Sequence, residues 1–239
     1  MAFCDEILRR KLSLSFQLPS GTRSEAIDLE VAMKMKAAGC HEFAFAPESG
    51  DVRVLKAIKK QVNLDRMFKS AAEAMSAGIN VGCFFILGLP EDDHTSVMRT
   101  YGAAIKCAWM GFAAVNFSAY SPQPDTESFR TLQAEGLIPE IDDAYLLSLF
   151  EYQDFGALKR SYNSKFSDLK LTAFIVIGFS LFYSVYFLRR PQRIVHLFVD
   201  VVTRQGRNKT SKIARSLVRD AWRMLRRHPV PGAKDMRAP

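Results

Sequence analysis

The 239-residue chain predicts an α/β fold with parallel strands, amounting to about half of a barrel or of a doubly wound sheet. Three observations predict it. Helix-like segments alternate with short apolar runs between residues 24 and 120, the order expected of βαβ units. Each of the three helix-like segments stops at a glycine, and these glycines (Gly39, Gly78, Gly111) are 39 and 33 residues apart. The run VGCFFIL from Val81 is near-continuously apolar, as a parallel strand covered on both faces would be.

Each element follows in chain order. A first strand is expected within LSLSFQL, residues 12–18. Ser24 is placed to cap a helix with apolar spacing at Ile27, Val31 and Met35, closed by Gly39. The next strand runs from Glu42 to Ala46, reaches Pro47 and gives way to Glu48-Ser49-Gly50. Asn63 caps a second helix through Met67, Ala71 and Met75, and NVGCFFILG is the strand after it. Asp92 or Asp93 caps a third helix that runs to about Met110, followed by the strand AAVNFSAY. In such folds the working groups sit in loops at the C-terminal ends of the strands. Here those loops read PESG (47–50), GLPEDD (88–93) and YSPQPDT (120–126).

Residues 131–170 read as a polar helical extension, with Pro139 and a further helix capped by Asp142. The run LTAFIVIGFSLFYSVYFL (171–188) then carries 18 residues without a charge, the lower limit for crossing a bilayer. It suits either a span or a buried or interfacial helix. Four cations precede it closely and six follow, from Arg189 to Lys209; for a span, this bias would put the C-terminus in the cytoplasm. Between Ser211 and Arg227, Ile213, Leu217, Ala221 and Leu225 recur every fourth residue, as do Arg215, Arg219 and Arg223. That is a basic amphipathic helix, suited to an anionic membrane surface or an acidic partner. No set of stacking aromatics accompanies the charge, which argues against nucleic acid. The final HPVPGAKDMRAP is expected to be disordered.

The net charge of +8 belongs to this tail: Pro191 to Pro239 holds 12 Lys and Arg against three Asp, leaving 21 against 22 in residues 1–190. The four cysteines, Cys4, Cys40, Cys83 and Cys107, are scattered without metal-binding spacing, and they read as buried thiols of a reducing compartment. The four histidines are likewise isolated. The start MAFCDEILRRKL has charges where a signal peptide has its apolar core.

Taken together, the three strand-end loops resemble the radical S-adenosylmethionine (SAM) superfamily, and within it the branch whose members carry a cobalamin-binding domain. The residues that carry the resemblance are Glu48-Ser49-Gly50, followed by Val54-Leu55-Lys56 and Lys60. Ile86-Leu87-Gly88-Leu89-Pro90 and Ser121-Pro122-Gln123-Pro124-Asp125-Thr126 complete the set, and the likeness spans about residues 1–130. The resemblance implies a partial (β/α) barrel over 1–130; the residue pattern adds a helical extension over 131–170 and, over 171–239, an apolar helix, a basic amphipathic helix and a disordered tail. It implies that Glu48, with Ser49 beside it, accepts hydrogen bonds from the ribose of SAM, and that Gly50 lets the chain turn away. By the same likeness Lys60 pairs with the methionine carboxylate, while Ile86 and Gly88 pack against adenine. A helix-capping role for Glu48 and a solvated helix-end role for Lys60 are the plainer alternatives.

The departures are equally specific. The family's CxxxCxxC loop, which binds a [4Fe–4S] cluster through three thiolates, is absent from this sequence. So are the first two strands and a cobalamin domain, and Glu91 and Asp125 stand where the family has glycines. The expectation is a C-terminal fragment of a radical SAM enzyme, cytoplasmic or membrane-associated. It would bind SAM, with the cluster supplied by a missing N-terminal half or a cluster-bearing partner. By itself it would be unable to start the radical reaction. The alternative expectation is a non-catalytic membrane-associated protein on a degenerate half-barrel.

Overall fold

The computed structural model describes residues 1–138 and 158–195, together with positions 141, 145, 146, 149 and 199. Its centre is a four-stranded parallel sheet in the order β1-β2-β3-β4: Phe16–Leu18, Cys40–Glu48, Asn80–Leu87 and Ala114–Ala119. Parallel neighbours require a crossover each. Helix α2 (Leu29–Ala37) lies between β1 and β2, α3 (Val52–Ala57) and α4 (Leu64–Ser76) between β2 and β3, and α5 (His94–Met110) between β3 and β4. A helix α1 (Ala2–Arg9) precedes the sheet, and α6 (Glu127–Ala134) and α7 (Asp168–Arg189) follow it.

Strand order distinguishes the two folds that the pattern left open. In a doubly wound sheet the order reverses and helices cover both faces. Here the order is strictly sequential and the helices share one face. Phe85 of β3 and Phe117 of β4, in register and stacked at 5.5 Å, point at Tyr101 of α5 and Phe179 of α7. Along the helical layer α2 packs on α4, and Lys106 of α5 lies 3.9 Å over the Phe68 ring of α4. This is the wall of a (β/α) barrel, formed as an arc. On its other face Ala46, Phe84, Ile86 and Asn116 stay half-buried.

The helix ends explain the glycine spacing. Gly78 and Gly111 have φ of +80° and +111°, a region that only glycine enters without a Cβ clash. After α4 and α5 the next amide (Ile79 or Phe112) bonds back to the carbonyl five residues earlier, closing the helix and aiming the chain into the next strand. The N-caps are Asn63 for α4 and Asp93 for α5, each accepting a backbone N–H from the third helical residue.

The first strand lies within 12–18 as expected, at Phe16–Leu18, where pairing with β2 begins. Two expectations need correcting. Ser24 does not cap α2. It opens a single 3₁₀ turn, and the helix starts at Leu29, capped by Asp28, whose carboxylate accepts from the Val31 amide. Last, β2 extends through Pro47 to Glu48 rather than ending at Ala46, because Glu48 still pairs with Phe85 across a register shift.

The run 171–188 is helix, and it begins and ends slightly outside those limits as α7. It buries Leu171, Ile175, Gly178, Phe182 and Tyr186, spaced three or four apart, as one stripe on α5 and β4. Beneath α6 a second, smaller cluster joins Phe129, Leu132 and Ile138 to Tyr145 and Tyr162. Residues 1–189 form one compact unit and 190–239 a second. The expected cap at Asp142, the basic helix 211–227 and the terminal tail lie outside the described residues.

Candidate functional site

The site begins with an unusual turn. The Ser49 amide donates to the Pro47 carbonyl at 2.9 Å, and Glu48, the residue between them, has φ of +66°. A three-residue turn centred on a positive φ is the rarer and strained form, and for a non-glycine residue it costs on the order of 1–3 kcal/mol. The turn sets Glu48 at the C-terminal end of β2 with its side chain mostly covered, at 18% exposure.

Lys60 reaches the same point by a second strained residue. Helix α3 ends with the Lys59 amide bonded to Lys56 O and the Lys60 amide to Leu55 O, the same closing turn as in α4 and α5. At the position where those helices have glycine, α3 has Lys59, at φ +57°. The reversal carries Lys60 back to β2, where its Nζ donates to Glu48 Oε1 at 2.8 Å. Lys59 itself reaches sideways to Glu127 at the start of α6, at 2.5 Å. That ion pair holds the Glu127 carboxyl below its ordinary range.

Beside the Glu48–Lys60 pair lies a cleft of about 310 Å³. Its walls include Thr22, Arg23 and Ser24 from the loop after β1, Ala46 and Pro47 from β2, and Lys60. The Thr22 hydroxyl oxygen is buried there with no hydrogen-bond partner. A buried hydroxyl without a partner is an uncommon and unfavourable state. No sequence signal singled out Thr22.

The remaining predicted residues divide by what they touch. Ser49 is fully buried; its hydroxyl accepts from the Asp51 amide at 3.1 Å and lies 3.3 Å from the Thr100 hydroxyl of α5. Gly50 presses on the same helix: a Cβ there would stand 2.5 Å from Arg99 O and 2.6 Å from Thr100 Cα. Ser49 and Gly50 thus pin the loop to α5 behind Glu48. Asp51, not Glu48, caps α3 through the Arg53 amide. Burial pushes the Asp51 carboxyl up, but the hydrogen bonds and charges of Arg53 and Arg99 outweigh it and leave it below the ordinary range.

Ile86 alternates with the helix-facing Phe85 and Leu87, so it lies on the open face of β3, in register with Ser118. Gly88, at φ +82°, sits past the strand end under Leu171 of α7, where a Cβ would meet that side chain at 2.9 Å. The buried Asp92 holds this turn: its Oδ2 accepts from the Gly88 and Leu89 amides at 3.0 and 3.1 Å, and its Oδ1 from the Ser96 hydroxyl at 2.6 Å. Burial raises its carboxyl above the usual range despite these bonds. From outside, the Asn163 amide group donates to Leu89 O, Pro90 O and Asp92 O. The structure therefore joins Glu48 to Lys60, backs them with Ser49 and Gly50, and places Ile86 on the neighbouring strand with Gly88 just past its end.

Residues 5–102 match the family model described as the Radical SAM superfamily. Over this segment the chain is similar to that superfamily. Two curated relatives are methyltransferases by name. Cytidylyl-2-hydroxyethylphosphonate methyltransferase of Streptomyces wedmorensis is 30% identical over 146 residues, covering 58% of this chain and 27% of that protein. An uncharacterized methyltransferase of Pyrococcus horikoshii is 26% identical over 125 residues, covering 52% and 27%. The chain thus spans about a quarter of the length of the curated relatives it matches. Among solved structures, the radical SAM methyltransferase TsrM from Kitasatospora setae, with cobalamin and a [4Fe–4S] cluster bound, aligns over 49% of this chain and 24% of its own at 16% identity and a TM-score of 0.42.

The residues present fit SAM better than they fit a cluster. SAM offers a ribose with two hydroxyls, a carboxylate and an ammonium. A carboxylate with a lysine beside it at the edge of a cleft complements those groups. Among the described residues no group of three or more His, Cys, Asp or Glu side chains could hold a metal ion. The four cysteines are buried separately in α1, β2, β3 and α5.

Proposed function

We propose that this chain is the SAM-binding part of a radical SAM methyltransferase, with the cluster held by residues other than those described. The observation that supports it most directly is the Glu48–Lys60 pair, built from two strained turns at the C-terminal edge of a radical SAM sheet. Positive φ at non-glycine residues persists where surrounding structure over-determines it, and such residues cluster at ligand sites. On this reading SAM enters the cleft and separates the pair. Glu48 accepts the two ribose hydroxyls and Lys60 turns to the methionine carboxylate, each exchanging one charged partner for another. Ser49, Gly50 and Gly88 act by fixing the backbone, and Ile86 offers an apolar surface to adenine. When bound, a cluster supplies the electron for cleaving SAM, and cobalamin, in relatives that hold it, supplies methyl transfer. The methyl acceptor belongs to the part of the enzyme beyond this segment.

Calorimetric titration of the purified chain with SAM tests the reading. Binding that falls about tenfold or more in Glu48→Ala and in Lys60→Ala, each still folded by circular dichroism, is the expected result; about tenfold corresponds to one lost charge-assisted hydrogen bond of ~1.4 kcal/mol. Binding equal in parent and variants, or none with or without a cluster-bearing partner, removes this reading and leaves the non-catalytic one.

A further inference from the structure

The outer surface of α7 is not that of an ordinary surface helix. Such a helix has one apolar stripe and a polar face toward solvent. Helix α7 buries its stripe on α5 and β4, yet its outward positions are again mostly apolar, with Ser180 and Ser184 exposed among them. Leu169, Val176, Ile177 and Leu188 are 72%, 55%, 44% and 81% exposed, and no charged residue occurs between Lys170 and Arg189. The helix has 22 residues, an 18-residue stretch of it has a mean hydropathy of 2.0, and its uncharged run, 171–188, is about 27 Å long.

Both ends of this surface are cationic. Lys165 and Lys170 stand at the N-terminal end, against one acid, Asp168. At the other end Arg189 lies over the ring of Trp109, 4.2 Å from its centroid, and Trp109 is 59% exposed. An indole beside a cation at the edge of an apolar face suits the headgroup level of a bilayer. We infer that the outward face of α7 docks the protein peripherally on an anionic phospholipid bilayer.

A transmembrane placement conflicts with the packing. Leu171, Ile175, Phe182 and Tyr186 belong to the main core, and the Tyr101 hydroxyl donates to Phe174 O at 2.6 Å. Extracting the helix would strip β4 and α5 of their cover. A second copy of the chain fits less well than lipid. With cations at both ends of the face, parallel and antiparallel pairing alike bring like charges together. Phosphate headgroups complement both ends at once. The basic amphipathic pattern of 211–227 is a second membrane-suited segment by sequence. This inference does not depend on SAM binding.

The test is co-sedimentation of the full chain with phosphatidylcholine vesicles, with and without phosphatidylglycerol. Strong partition only to the anionic vesicles is expected, with release by alkaline carbonate. The double variant Val176→Asp/Ile177→Asp should partition at least tenfold more weakly, and the charge reversal Lys165→Glu/Arg189→Glu, which leaves the apolar face intact, several-fold more weakly. Partition unchanged in both variants would assign binding to the tail and overturn the inference. So would absence of partition, retention after carbonate, or a dimer in sedimentation equilibrium that the aspartates dissociate. SAM affinity in the same preparations should be unchanged, which separates this outcome from the fate of the catalytic reading.

Discussion

Glu48 occupies a conformation that stability alone would assign to glycine. Its φ of +66° strains a carboxylate that Lys60 and the neighbouring loops hold in place. Glu48→Gly should therefore leave the urea midpoint unchanged or raise it by up to ~1 kcal/mol of stability, since glycine enters the left-handed region without a Cβ penalty. Its SAM affinity should fall at least as far as that of Glu48→Ala. A variant that lost stability and kept binding would show that the turn serves folding, not ligand. Gly50 is the opposite case. Its Cβ position is 2.5 Å from Arg99 O, backbone that cannot rotate away, so Gly50→Ala should cost about 1–3 kcal/mol of stability by overpacking, measured by denaturant unfolding. In the sequence the two residues looked like one motif with one purpose. The structure separates the residue paired with Lys60 from a packing residue two positions on.

At the scale of elements, the loops depend on carboxylates of opposite character. Asp51 and Asp93 share Arg53, with Nη2 at 2.9 and 3.3 Å, and both sit below their ordinary range. For Asp93 the Ser96 amide is the first cause; for Asp51 burial opposes the shift and the arginines overcome it. A carboxyl depressed in the folded state stabilises above its unfolded pKa of about 4, and that stability is lost as pH falls through the folded value. Asp92 has the reverse sign. Its folded value is raised by burial, so its contribution is full below about pH 4 and lost as pH rises through the folded value. Asp51→Asn should thus flatten the acid limb of the stability profile, and Asp92→Asn should lift stability near neutrality relative to acid. Urea midpoints across pH 3–8 measure both; an unchanged acid limb in Asp51→Asn would contradict the assignment.

These elements also mark what was legible beforehand. The caps at Asn63 and Asp93 and the closing glycines were readable because each is a local rule, a side chain bonded three residues on or a φ that only glycine accepts freely. The α3 turn was not, because Lys59 takes a glycine's place there, nor was the start of α2, where Ser24 matched the capping residue type but Asp28 met the helix geometry. Asn163 holds three carbonyls of the 89–92 loop from more than 70 residues away, and no sequence spacing reveals such a contact. The pairing of Glu48 with Lys60 lay between these cases. Both residues were visible as candidates, but they were assigned to opposite ends of one ligand, whereas without it they meet each other.

For the molecule as a whole, α7 decides whether the arc stands as a folded unit. An open parallel sheet leaves its last strand without a partner helix, and α7 fills that place on β4. Gly178 lets it approach: a Cβ there would be 3.0 Å from the Phe117 ring, the ring that also meets Phe85 and Tyr101. The helix buries Leu171, Ile175, Phe182 and Tyr186. At about 1.5–3 kcal/mol for each large apolar side chain, these contribute on the order of 6–12 kcal/mol, comparable with the entire 5–15 kcal/mol stability of a domain. A chain ending before Asp168 should then fail to fold cooperatively. It should bind a hydrophobic dye and lose near-ultraviolet dichroism while keeping helical signal. A single sharp unfolding transition in that truncated chain would show that β4 does not need α7, and would reopen the case for α7 as a membrane span. Gly178→Val offers a milder version, pushing α7 from Phe117 while leaving every other residue in place. Its expected loss of about 1–3 kcal/mol in denaturant unfolding, with no change at the Glu48–Lys60 end of the sheet, would place the helix in the core rather than in lipid.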